Sequence, residues 1–253
     1  MPKTPAPLAG TEVVITRPAG TARAMARRVR ALGGVPRLLP GMSLRAMPAA
    51  AARAAWQEAQ RCPLIVFTSP AAVRYALALA PLQSRARLLG VGRGTRDALH
   101  RAGHADAQSP RSDAQRSEGL LAHPWLQSVG GKRVALVTAP GGRGLIEQGL
   151  DALGAQLVRA EVYCRVPPRL TRRHEAMLQA LPSGSPLLLT SAQALDYLLA
   201  TLSAPGADAL RRCRAVVSSA RLERHARAAG FHRIIRATSP AGADLLEAAV
   251  AQA

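Results

Sequence analysis

Apolar positions along the chain form short runs separated by amphipathic segments, and the clearest set lies between 130 and 168. The run 134–137 predicts a strand buried on both faces. Ile146, Leu150 and Leu153 recur at i, i+4 and i+7, which places them on one face of a helix. Gly154 is placed to end that helix in a left-handed conformation. A second strand follows and closes at Tyr163, ahead of a Pro/Arg exit. Between the first strand and the helix, Gly141, Gly142 and Gly144 allow a tight turn with outward-facing N–H groups.

The same pattern occurs once more. Val13 to Ile15 form a short apolar run, Met25, Val29 and Leu32 line one face of a helix, and Gly33 ends it before a strand at 35–39. Met25, Val29, Leu32 and Gly33 each lie 121 positions before Ile146, Leu150, Leu153 and Gly154, and the same shift places Gly20 on Gly141. Further along, LIVFTS at 64–69 is answered by LLLTS at 187–191, Tyr75 by Tyr197, and LLGVG at 88–92 by AVVSS at 215–219. Helices ending at Gly103 and Gly230 follow, each with a Ser-Pro beyond it. This is an internal duplication of a strand–helix alternation. It predicts an α/β protein of two doubly wound, mostly parallel-sheet lobes. The segments 41–55 and 167–185 read as crossings or surface helices, and 104–117 as an exposed loop.

Composition narrows the partners. At 253 residues and 48% hydrophobic, the chain can bury a proper core. Aromatics are only 3%, too few for platforms on which bases stack. No window reaches the roughly 20 apolar residues of a membrane span, and the start lacks the apolar segment of a secretion signal. Cys62, Cys164 and Cys213 match neither a disulfide framework nor a metal motif, so a reducing, cytoplasmic setting is expected. The formal charge of +19 favours anionic partners, yet the arginines are spread over the chain and largely fit solvated helix faces.

In an open parallel sheet, ligands bind beyond the carboxyl ends of the strands. The residues placed there are Arg17-Pro18, Thr68-Ser69-Pro70, 92–95, 139–144, Thr190-Ser191 and Ser218-Ser219. They are small, hydroxylic or glycine, and several precede a helix, where backbone N–H groups and the dipole favour anions. A Thr-Ser pair before a helix is also the ordinary form of an N-cap. GVGRGT at 90–95 lacks the third glycine of a dinucleotide fingerprint, and PGGRG at 140–144 lacks the Lys-[Ser/Thr] of a phosphate loop. Paired acids, a Ser-His-Asp set and a histidine cluster are all missing from these loops, and no metal site is expected. His100 and His104 stand at i, i+4, but Gly103 interrupts their helix. On the residues alone, Tyr163 reads as a core tyrosine.

The order of motifs carries a resemblance. ITRP at 15–18, FTSPAAV at 67–73, GVGRGTRDAL at 90–99, SEGLL at 117–121, VYCR at 162–165, LLTSAQAL at 188–195 and AAGF at 228–231 follow one another along the chain. Together they resemble the uroporphyrinogen-III synthase family over essentially the whole length. That resemblance implies two α/β lobes joined by a two-stranded connection. One lobe would take 1–39 with 168–253 and the other 42–163, with an active cleft between them; the repeat alone suggests a cut near the middle. It implies a small-molecule substrate, hydroxymethylbilane, a linear tetrapyrrole with eight carboxylates. The ring closes with inversion of the last pyrrole and loss of water, through an azafulvene cation and a spiro intermediate, with no cofactor. A monomer is implied, with transient contact with the preceding enzyme of the pathway left open, and neither nucleic acid nor a membrane as partner.

By the same resemblance Tyr163 is the catalytic residue, helping the hydroxyl leave. Arg17, Thr68, Ser69, Thr95, Gly141, Gly142, Arg143, Thr190, Ser191 and Ser219 are the substrate-binding set. The chain departs from the family pattern at Ala71, where Asn is frequent, and at Thr138-Ala139, where Arg-Gly is usual. Carboxylate contacts are not carried over to those positions. Two other function classes are weighed: a non-catalytic, synthase-like regulatory or anion-binding module, and a basic nucleic-acid-binding α/β protein. The retained Tyr163 weighs against the first, and the scarce aromatics and diffuse arginines against the second.

Overall fold

The computed structural model describes residues 6–110, 117–141, 144–239 and 241–251. In chain order the elements begin with β1 (Glu12–Ile15), α1 (Arg23–Ala31), β2 (Val35–Leu38), β3 (Ser43–Ala46) and α2 (Ala49–Ala59). They continue with β4 (Leu64–Phe67), α3 (Pro70–Leu79), β5 (Arg87–Gly90), α4 (Arg93–Arg101) and α5 (Ser117–Leu121). Next come β6 (Arg133–Thr138), α6 (Leu145–Ala152), β7 (Gln156–Glu161) and β8 (Tyr163–Val166). The last part holds α7 (Arg172–Ala180), β9 (Pro186–Leu189), α8 (Ala192–Thr201) and α9 (Ala204–Arg212). It ends with β10 (Arg214–Val217), α10 (Ala220–Ala228), β11 (Ile234–Arg236) and α11 (Gly242–Val250).

The chain divides into two compact units, Met1–Leu44 with Val166–Ala253, and Arg45–Arg165. The first holds a parallel sheet in the order β11-β10-β9-β1-β2, the second one in the order β5-β4-β6-β7. A two-stranded sheet of β3 and β8 carries the chain from one unit to the other and back.

The duplication is written into the register. Val14 pairs with Leu187 in the first unit and Ala135 with Ile65 in the second, and these four positions correspond under the repeat. Glu12↔Val35 corresponds in the same way to Arg133↔Gln156, and Arg214↔Pro186 to Leu64↔Arg87. Each sheet is therefore assembled from parts of both halves of the sequence, because the chain changes unit between β2 and β4 and again between β7 and β9. Gly33 and Gly154, the repeat-equivalent helix stops, take φ of 83° and 74°, a conformation glycine enters without the Cβ penalty.

Strand periodicity sends alternate residues to opposite faces. In the first unit Val14, Leu187, Leu189, Ala215 and Val217 pack against Leu178, Leu195, Leu198, Leu210 and Leu222 of α7 to α10. Val13, Ile15, Leu188 and Val216 face Met25 and Val29 of α1 and Leu245 and Leu246 of α11. In the second unit Leu64, Val66, Leu89, Val134 and Leu136 join Leu120, Leu126 and Leu150. Fully buried Trp56 meets Phe67 edge-on, ring centres 5.9 Å apart, and donates its indole N–H to Ala80 O at 3.0 Å.

Two expectations need correction and a third gains detail. The strand after α6 does not run to Tyr163. It breaks at Val162, whose N–H stays with its sheet on Thr138 O (3.2 Å) while its carbonyl accepts from Met47 N–H (3.3 Å). In the segment 41–55 the expected crossing is the strand β3, and the expected helix is the first turns of α2. The loop expected over 104–117 is in part bound to the sheet edge: Gln108 N–H donates to Leu88 O and Gly90 N–H to Gln108 O. Gln108 is the repeat equivalent of Ile235, so the fifth strand of the first unit survives in the second as a single bridge.

Replacing Trp56 by alanine removes a fully buried indole and should cost about 3–5 kcal/mol. Hydrogen exchange checks the assignment to one unit: protection should fall within 45–165, with 166–253 retaining most of its own.

Candidate active site

Because β10, β9 and β1 are parallel neighbours, the residues just beyond them emerge along one sheet edge. Ser219 follows β10, Thr190 and Ser191 follow β9, and Arg17 follows β1. In the second unit β5, β4 and β6 are the counterparts, and they deliver Thr95, then Thr68 with Ser69, then Gly141. Gly142 and Arg143 lie outside the described residues.

Tyr163 opens β8 immediately after the break at Val162 and is only 2% exposed. Its hydroxyl lies 3.0 Å from Ser69 Oγ, which also accepts the Ala72 N–H at 3.0 Å as the N-cap of α3. The ring stacks on Tyr75 with centres 5.4 Å apart and planes 9° from parallel. The Arg165 guanidinium sits over the Tyr163 ring at 5.8 Å and donates to Pro140 O at 3.2 Å, and Arg74 lies over Tyr75 at 4.9 Å. Thr68 turns inward: its Oγ1 lies 3.2 Å from both Val137 O and Thr138 Oγ1, so its proton is used within the sheet edge. Thr95, 4% exposed, sits in the first turn of α4, with its N–H on Gly92 O. A Cβ at Gly90 would stand 2.8 Å from Arg96 N and 3.0 Å from Thr95 Cβ. The glycine there admits the helix rather than a nucleotide.

In the first unit Ser191 caps α8 and Ser219 caps α10, their hydroxyls accepting Ala194 N–H and Leu222 N–H at 3.3 Å. A capping hydroxyl uses a lone pair and keeps its own proton for a further acceptor. Arg17 is half-buried, has no ion-pair or hydrogen-bond partner among the described residues, and its guanidinium is lowered from the usual arginine value by burial. A cation in that state gains from an incoming anion, since its desolvation is otherwise uncompensated.

The model of the family described as uroporphyrinogen-III synthase HemD matches residues 23–247. The chain belongs to the uroporphyrinogen-III synthase family. It is 33% identical over 231 residues to a uroporphyrinogen-III synthase of Salmonella typhimurium, covering 88% of this chain and 93% of that one. To the Escherichia coli K12 protein of the same name it is 31% identical over 234 residues, with the same coverage. Its fold is like that of the Helicobacter pylori uroporphyrinogen-III synthetase crystal structure, with a TM-score of 0.63 and 15% identity over 96% of this chain and all of that one. A mutant uroporphyrinogen III synthase from the extreme thermophile Thermus thermophilus gives a TM-score of 0.59 and 19% identity, with the same coverage.

Within this family member the structure brings Tyr163 and Ser69 into contact and places Thr68 beside them, while Thr95 lies one strand away on the same unit. Arg17, Thr190, Ser191 and Ser219 form the corresponding set of the other unit. Tyr75 was the missed neighbour. Its repeat match to Tyr197 was visible, but nothing in the sequence said that a ring on α3 would meet one on β8. In the first unit Met42 stands at the position of Tyr163, and the Tyr197 hydroxyl accepts instead from Gln193 Nε2 at 3.0 Å.

A cavity of about 680 Å³ lies against Arg85, Arg87, His104, Asp106 and Trp125, at the amino end of β5. Ligands of an open parallel sheet bind at the opposite, carboxyl end of the strands. Among the described residues no His, Cys, Asp and Glu group could hold a metal ion, and no helix is long and apolar enough to cross a membrane. The three cysteines are free, and burial pushes the Cys213 thiol up to about 11 and raises that of Cys62, which keeps both protonated and unreactive.

The caps are testable by themselves. Ser219→Ala should cost about 1 kcal/mol in urea unfolding, and Ser219→Asp, which also caps, should recover most of it.

Proposed function

We propose that this family member is a uroporphyrinogen-III synthase in activity, a lyase that cyclises hydroxymethylbilane with inversion of the terminal pyrrole and loss of water. We take it to act as a monomer on this small molecule, in a reducing compartment suited to its free cysteines. One observation carries the reading beyond family membership. The segments leaving the carboxyl ends of β1, β4, β5, β6, β9 and β10 hold arginines, hydroxyls and glycines, and no Asp or Glu. A substrate with eight carboxylates needs donors and positive charge, and would be repelled by acids.

In this proposal Arg17 takes a carboxylate in the first unit, aided by the capping hydroxyls of Ser191 and Ser219 and by Thr190. The second unit contributes Thr95 and the turn at Gly141, with Gly142 and Arg143, while Thr68 acts chiefly through the sheet edge it ties together and Ser69 through its contact with Tyr163. Hydrogen bonds to charged groups contribute about 1.5–3 kcal/mol each, so a few suffice to hold a flexible chain. Positioning can then supply roughly 7–11 kcal/mol of the barrier, which suits loops without strong acids.

Tyr163 is assigned to the leaving group. The carbon–oxygen bond of the hydroxymethyl group breaks, the electron pair leaves with oxygen, and that oxygen takes up a proton from Tyr163 and departs as water. The pyrrole nitrogen supplies the electrons of the resulting azafulvene cation. The substituted carbon of the far ring attacks, and the spiro intermediate fragments and recloses with the ring turned over. Loss of a ring proton at closure restores the phenol, so the balance is the loss of one water.

Incubation with freshly prepared hydroxymethylbilane should give the inverted isomer, and the uninverted isomer alone would overturn the proposal. Tyr163→Phe should slow turnover about ten- to a hundredfold with little change in KM, and an unchanged rate would remove Tyr163 from the chemistry. Arg17→Ala should instead raise KM about tenfold or more, read from initial rates across substrate concentration.

A further inference from the structure

The contacts around Tyr163 do more than bury it. Ser69 Oγ has one proton and two lone pairs. One lone pair accepts the Ala72 N–H at 3.0 Å, at the positive end of α3, and the phenol oxygen of Tyr163 lies 3.0 Å away. If the phenol donated to Ser69, two donors would converge on one oxygen and the serine proton would be left over. With an acceptor at the phenol, a chain runs in one sense, from Ala72 N–H to Ser69, from Ser69 O–H to Tyr163, and from Tyr163 O–H outward. Donors aligned head to tail strengthen one another. The same bond holds the charge left on the phenol oxygen once its proton is given up. Tyr75 adds a second constraint, since a ring 9° from parallel at 5.4 Å fixes the plane in which the phenol can turn. The Arg165 guanidinium over the ring, tied to Pro140 O, places positive charge beside it.

We propose that Ser69 and Tyr75 are positioning residues for Tyr163: Ser69 donates to the phenol oxygen and directs its proton toward the leaving hydroxyl, and Tyr75 holds the ring plane. This rests on the assignment of Tyr163 to the leaving group. It gives Ser69 a task other than carboxylate binding, and it brings in Tyr75, a residue to which neither the motifs nor the family comparison gave a role.

The test is a double-mutant cycle read in kcat and KM, with melting temperature followed in parallel. Ser69→Ala and Tyr75→Leu should each lower kcat about tenfold with KM within about twofold. Ser69→Thr, which restores a capping hydroxyl, and Tyr75→Phe, which restores the ring, should each recover most of the lost rate. Added to Tyr163→Phe, neither Ser69→Ala nor Tyr75→Leu should slow the enzyme further, because both act through the phenol. Full additivity in the cycle, or a rise in KM without loss of kcat, would overturn the inference while leaving Tyr163 in place. Failure of Tyr75→Phe to recover rate would assign the effect to the Tyr75 hydroxyl and overturn the stacking part. A Tyr163→Phe enzyme with undiminished rate would remove the premise itself, a result distinct from the other two.

Discussion

The placement of Tyr163 depends on how one residue, Val162, divides its backbone hydrogen bonds. Val162 gives its N–H to Thr138 in the four-stranded sheet and its carbonyl to Met47, next to β3. A strand that kept both groups in one sheet would have carried the tyrosine onward along β7. Division at 162 turns the chain out of that sheet at the carboxyl end and sets the phenol beside the N-cap of α3. Buried backbone groups must be paired, so this switch of partners is a structural requirement as much as a route for the chain.

The duplication supplies two copies of one scaffold, and their differences are few and local. Strand order, register and helix stops correspond from one unit to the other. What does not correspond is the aromatic pair of Tyr75 and Tyr163, whose counterparts in the other copy are Tyr197 and Met42. Another difference is at the sheet edge, where β11 in one unit answers a single bridge at Gln108 in the other. A shared core fixes where loops emerge; the loops and the chain crossing then diverge without disturbing it.

The charge follows the same division of labour. Among the described residues several acids pair with arginines, as Glu12 does with Arg37, Glu58 with Arg61 and Arg133, and Glu223 with Arg227 and Arg236. Exposed pairs of this kind contribute little to stability. Arg17 differs because it is half-buried with no such partner among the described residues, and a carboxylate brought to it meets a cation already stripped of much of its water. A large positive charge is thus less informative than the position of one arginine within it.

Periodicity and the repeat, read from the chain alone, determined the strand–helix alternation, the two α/β lobes, the parallel sheets and the loops in which donors gather. These are local or pattern-level properties, set by which residues share a face and where glycines end helices. The ordered motifs identified the family and singled out Tyr163. Only the tertiary structure decided that β7 stops short of Val162, that 41–55 contains a strand, and that Gln108 closes a sheet edge, since each depends on a hydrogen-bond partner far away in sequence. Tyr75 belongs to the same group. It is 88 residues from Tyr163 in the chain and 5.4 Å from it in the fold, and a stack of two rings leaves no periodic signal in either segment.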